Sequence, residues 1–107
     1  MSEPAEARVA RRDKDGRPLD LMEWARLYED DDYRLVAETQ VDDVLVRTLW
    51  EGHDVQVTCA GDMFHTGVRR GDRWTDEWVG HHPCTLIEAE AAHEIVVAKI
   101  REQANKH

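Results

Sequence analysis

Apolar positions recur along this chain at two different periods. Leu21, Trp24, Ala25 and Tyr28 fall at i, i+3, i+4 and i+7, the repeat of one buried helix face. Asp20 stands before them as an N-cap, with Glu23 three residues on, the arrangement of a capping box. Leu19 and Trp24 hold the spacing of a hydrophobic staple. The carboxylates of Glu29, Asp30, Asp31 and Asp32 face the negative end of the helix dipole, so the helix is expected to stop there. The period then changes to two. Tyr33, Leu35, Ala37, Thr39 and Val41 alternate with mostly polar residues, Asp42-Asp43 makes a turn, and Val44, Val46, Thr48 and Trp50 alternate again. Less regular strands are expected at Val55, Val57 and Cys59, at Met63 to Val68, and at Trp74 to Val79, with turns at residues 51–54, 61–62 and 69–72. The chain closes on a second capping box, Thr85 with Glu88. Behind it Ala91, Ala92, Ile95, Val96 and Ile100 form a helical stripe, with His93 beside it.

These elements predict an α+β fold: a small two-layer domain whose antiparallel sheet of three to five strands is packed by an N-terminal and a C-terminal helix. Residues 1–17 hold little apolar surface and are expected to form a flexible N-terminal tail, leaving residues 18–107 as the domain.

Charge narrows the choice of partners. The formal net charge is −9, and residues 20–54 carry eleven acidic residues against three arginines. Such a field repels phosphate backbones, so no direct nucleic-acid binding is expected. Glu29, Asp30, Asp31, Asp32, Asp42 and Asp43 are the candidates for an acidic surface that either keeps the chain in solution or receives a basic partner. Two cysteines do not make the disulfide framework of a small secreted domain. No apolar run opens the chain and none approaches membrane-spanning length, so a cytoplasmic protein with no membrane contact is expected.

Candidate chemistry is sparse. Cys59, His65, His82 and Cys84 are legal zinc ligands, but one residue between His82 and Cys84 is tighter than structural-zinc spacing, and Cys59 to His65 is wide. His93-Glu94 begins like a metalloprotease helix, yet the second histidine that motif needs would stand at Val97. No nucleophile elbow, phosphate loop or dinucleotide fingerprint occurs. No catalytic residue and no cofactor are therefore expected, and the metal reading of the four ligands is set aside. Trp74 and Trp78 flank Asp76 on one strand face, and Arg69, Arg70 and Arg73 lie close by. Tryptophan and arginine are enriched where proteins bind proteins, so these five residues are the interface candidates. The alternative places both rings in the core.

The pattern also has a likeness. Asp15, Gly16, Pro18, Glu23, Trp24, Ala25, Glu29, Asp30 and Tyr33, then Val46, Thr48, Trp50 and Gly52, then Glu88, Ala89, His93, Val96 and Val97 resemble a motif of small uncharacterised proteins of actinobacteria and their phages. The middle of the chain, from Asp62 to Trp74, departs from it. The resemblance implies a compact α+β domain of phage or prophage origin and no particular activity. Together these readings lead to an expectation of a non-enzymatic accessory protein that binds a protein partner, with a homodimer also compatible. An acidic nucleic-acid mimic that inhibits a DNA- or RNA-binding protein is the alternative, and a small enzyme or zinc-bound module comes third.

Overall fold

Both capping boxes are formed in the computed structural model, which describes residues 9–55, 63–77 and 83–105. The elements run β1 (Val9–Arg11), α1 (Leu21–Tyr28), α2 (Asp31–Arg34), β2 (Leu35–Val41), β3 (Val44–Trp50), β4 (His53–Val55), β5 (Phe64–Arg70), β6 (Arg73–Glu77) and α3 (Leu86–Ala104). At the head of α1, Asp20 accepts the Glu23 N–H at 2.8 Å and Glu23 accepts the Asp20 N–H at 3.2 Å. At the head of α3, Thr85 accepts the Glu88 N–H at 3.1 Å, while Glu88 accepts from the N–H groups of Thr85 and Cys84. Orphan amide donors at both helix starts are thus satisfied.

β2, β3, β5 and β6 form one antiparallel sheet in that order, and β1 pairs with β4 in a separate two-stranded sheet. Period-two alternation sends Val46, Thr48 and Trp50 of β3, and Phe64, Thr66 and Val68 of β5, to the face covered by α3. The fold is therefore α+β, with the C-terminal helix packed on an open sheet. The apolar contacts divide into two clusters. Val41, Val46 and Val68 meet Val96, Val97 and Ile100 at one end. At the other, Trp50, Met63, Phe64 and Ala89 are joined by Leu19, Trp24, Leu27, Tyr28, Tyr33, Val36 and Leu86. No helix among the described residues is long and apolar enough to cross a membrane.

Several expectations are corrected. The acidic run after α1 does not merely stop a helix. Asp30 accepts the Tyr33 N–H at 3.1 Å and caps α2, placing Asp31 and Asp32 at the positive end of a new turn. Tyr33 and Arg34 belong to that turn, so the strand starts at Leu35. A bulge between Leu35 and Ala37 then turns Val36 toward the Trp50 cluster and Leu35 outward. In α1, Leu21 is exposed, and Leu27 packs with Trp24 and Tyr28 in its place. The buried face of α3 is Ala89, His93, Val96, Val97 and Ile100; Ala91 and Ile95 of the expected stripe face outward, and His93 lies at its centre.

Of the expected tail, residues 1–8 lie outside the described residues, and residues 9–17 take part in the fold. Residues 9–17 are ordered: β1 aligns Arg11 with His53, Arg12 bridges Pro18, and the turn between them closes on Asp13. Asp13 is buried, and its carboxylate accepts the N–H groups of Asp15 and Arg17 and the Arg17 Nε–H. This segment covers the end of the core. Trp50 donates its indole N–H to the Arg12 carbonyl at 2.8 Å, and the Lys14 N–H bonds the Tyr33 hydroxyl at 2.9 Å. The strand expected at Val55, Val57 and Cys59 is observed as β4, His53–Val55; residues 56–59 and the turn at 61–62 lie outside the described residues.

Gly52 joins the two parts. It takes a left-handed φ of 81° and lies between two indoles: a Cβ there would stand 2.5 Å from Trp50 Cζ2 and 2.7 Å from Trp24 Nε1. Gly52→Ala is expected to destabilise the protein by roughly 2–5 kcal/mol, from the left-handed backbone and overpacking together, read as a lower urea midpoint. Thr85→Ala is expected to lose about 0.5–2 kcal/mol by the same measurement, because it removes only the α3 cap.

Candidate functional site

Two groups of polar side chains stand out, one on each face of the sheet. The first is sealed. His93 is fully buried, with Nε2 at 2.9 Å from Thr39 Oγ1 and Nδ1 at 2.8 Å from Thr48 Oγ1. Thr48 Oγ1 also lies 2.8 Å from Thr66 Oγ1. β2, β3 and β5 contribute one threonine each and α3 contributes the imidazole, making a polar layer between the two apolar clusters. Threonine hydroxyls both donate and accept, so either neutral tautomer is satisfied. Burial pushes the His93 pKa below its ordinary 6.5, with Glu94 pulling weakly the other way. With no exposed surface on His93 or Thr48, this layer serves the fold and presents nothing to a substrate.

The second group lies on the open face. Cross-strand register sets Glu38, Arg47, Gly67 and Asp76 in one row across four strands, and Gln40, Leu45, Arg69 and Trp74 in the next. Because Gly67 has no side chain, the Trp74 ring lies over it; a Cβ on Gly67 would approach Trp74 Cε3 to 3.2 Å. The guanidinium carbons of Arg47 and Arg69 stand 5.1 and 5.9 Å from the ring centroid, within cation–π range. Arg47 Nε is 2.7 Å from Glu38 Oε2, and His65 Nε2 is 2.6 Å from Asp76 Oδ1. Leu45 is buried on this face, whereas Trp74 keeps 45% of its surface exposed. The cleft beside the ring, bordered by Arg47, Leu49 and His65, holds about 170 Å³. That is small for a metabolite pocket, which typically spans roughly 300–1,000 Å³.

The interface candidates are thereby divided. Trp74 and Arg69 share the open face. Arg70 and Arg73 pair across the hairpin end with the opposite strand phase, on the α3 side, where Arg70 approaches Gln103 at 3.5 Å. Trp78 lies outside the described residues. Arg47, Leu45, Leu49 and the His65–Asp76 pair were missed by the sequence reading. Their signal is the second phase of the β3 alternation, Leu45-Arg47-Leu49.

Of the four ligand candidates, His65 and Cys84 lie among the described residues. Cys59 and His82 lie outside the described residues, and His65 is paired with Asp76. Cys84 is disulfide-bonded, so its sulfur has no thiolate to offer a metal. Among the described residues no three His, Cys, Asp or Glu side chains are grouped to hold a metal ion. The acidic candidates also separate. Glu29 to Asp32 precede β2 and Asp42-Asp43 follow it, so the seven residues of the strand hold them about 20 Å apart.

No protein-family model matches the chain, and neither a curated protein nor a solved structure matches it.

The buried imidazole gives a pH dependence with a definite sign. Because the folded pKa lies below 6.5, the unfolded chain binds the proton more readily. The stabilisation is complete above pH 6.5 and declines as pH falls below it, with a limiting slope of about 1.4 kcal/mol per pH unit. Urea unfolding between pH 8 and pH 5 is expected to show this loss, and His93→Gln is expected to flatten it while lowering stability throughout.

Proposed function

We propose that this protein is a non-enzymatic accessory protein that docks a protein partner on the open face of its sheet. The supporting observation is Trp74: a large ring left half exposed on a face that no helix covers among the described residues, flanked by two guanidiniums and by Leu49. Fully desolvated tryptophan and arginine supply much of the affinity of known interfaces. Arg69 adds a second cation beside the ring, its guanidinium carbon 5.9 Å from the Trp74 centroid. The resemblance to small proteins of actinobacteria and their phages fits this reading, because an accessory protein needs a surface rather than a catalytic centre.

The acidic-mimic reading rests on the net charge of −9. It has less support, because the two acidic groups lie at opposite ends of β2 and form no continuous row. For location, a disulfide at Cys84 fits an oxidising compartment better than the reducing cytoplasm that the sequence led us to expect.

The test uses the intact chain as bait in an extract of its source organism, beside Trp74→Ala. A protein retained by the parent chain is expected to bind the variant roughly tenfold or more weakly in calorimetric titration. The variant is expected to lose only about 1 kcal/mol in urea unfolding, since the ring is half exposed. Binding that survives a rise from roughly 0.05 to 0.5 M salt supports the apolar face; binding abolished by it supports the mimic. Equal retention by parent and variant would remove Trp74 from the interface.

A further inference from the structure

We infer that the outer edge of β6 pairs antiparallel with the β6 edge of a second copy, joining two four-stranded sheets into one of eight strands. β6 is the last strand of its sheet, and among the described residues its only strand partner is β5. Arg73, Trp74, Thr75 and Asp76 are all exposed. The two-residue turn Gly71-Asp72 sets which backbone groups face the open side. Arg70 and Arg73 close that turn as a hydrogen-bonded pair, so Arg73, Thr75 and Glu77 direct their amides to β5. Trp74 and Asp76 therefore direct their N–H and C=O groups to the open side.

The side chains of this strand are self-complementary. In an antiparallel pairing with its two-fold axis at Thr75, Trp74 and Asp76 of the two copies exchange backbone hydrogen bonds. Thr75 then meets Thr75, and Arg73 meets Glu77, both at non-hydrogen-bonded positions, where side chains approach most closely. Charges on an edge strand ordinarily repel an incoming strand. Here the order, Arg73 at one end and Glu77 at the other, makes an identical antiparallel strand attractive. No other register about β6 matches both the outward backbone groups and the charges. Glu77 already approaches Lys99 of α3 at 3.4 Å, which places its carboxylate on the side of the sheet where Arg73 of the second copy arrives. The pairing leaves the Trp74 face uncovered and duplicates it across the dimer, so the inference stands apart from the docking of a partner protein. Five residues from each copy bury less surface than a permanent dimer needs, so the association is reversible.

Sedimentation equilibrium of the full chain from micromolar to millimolar concentration tests it. A monomer–dimer equilibrium is expected. Arg73→Glu and Glu77→Arg are each expected to weaken it roughly tenfold or more, since each sets like charges opposite one another twice. The double reversal is expected to restore it, which separates pairing from any loss of the Lys99 contact. Amide exchange gives a second readout. The Trp74 and Asp76 amides are expected to gain protection with concentration, while those of Arg73, Thr75 and Glu77 are protected throughout. A chain that stays monomeric at millimolar concentration, or a dimer indifferent to both single reversals, would overturn the inference.

Discussion

Where α3 sits on the sheet is decided by one imidazole. Apolar side chains tolerate sliding, because a valine is nearly as well buried against one neighbour as against the next. His93 does not. It is held from both ring nitrogens, by Thr39 on the row of Val46 and Val68 and by Thr48 on the next row, opposite Thr66. A slip of one helical turn, about 5.4 Å in either direction, would part the ring from at least one of these hydroxyls. Each polar group so stranded costs about 1–3 kcal/mol. The polar layer therefore sets the register that lets Ala89 meet Phe64 and Trp50 on one side while Val96, Val97 and Ile100 meet the valines on the other.

The same residue shows why sequence periodicity located the last helix and misplaced its face. A search for apolar repeats skips a histidine by construction. It gathered Ala91, Ala92 and Ile95, and so rotated the stripe away from the true face, Ala89-His93-Val96-Val97-Ile100. Exposed Ile87 and Ile95 add to the error by making the helix apolar on several sides. Signals that act within a few residues were legible: both capping boxes, the Asp42-Asp43 turn with Asp42 at φ 54°, and the Gly71 turn. Contacts between distant segments were not. Residues 9–17 contain little to bury, and they are ordered by pairing with β4 and by the Asp13 turn, neither of which composition reveals.

Three of the four tryptophans can be placed, and each does different work. Trp50 is fully buried, with Tyr33 edge-on at 5.1 Å and its N–H on Arg12. Trp24, expected in the core, is only half-buried; it stacks on Tyr28 at 4.7 Å and donates to the Glu51 carbonyl, closing the gap over Gly52. Trp74 covers Gly67 with one part of its ring and leaves the rest in solvent. Only the first two were implied by helix and strand period. Trp74 was an interface candidate from its arginine neighbours in sequence, but Arg47, whose guanidinium stands 5.1 Å from the ring centroid, comes from a distant strand.

A net charge of −9 describes the whole chain and misdescribes this face. Among the described residues each carboxylate on the open side of the sheet has a basic neighbour: Glu38 has Arg47, and Asp76 has His65. Arg69 remains beside the ring without a carboxylate of its own on that face. Elsewhere the acidic residues gather at α2 and at the β2–β3 turn, where exposed charge keeps neighbouring molecules apart. Docking on a face of unpaired carboxylates would strip water from each of them at high cost. Docking around Trp74 removes water chiefly from an aromatic ring, leucine and two charge pairs, Arg47 with Glu38 and His65 with Asp76. The distribution of charge, rather than its total, makes this the face whose desolvation costs least.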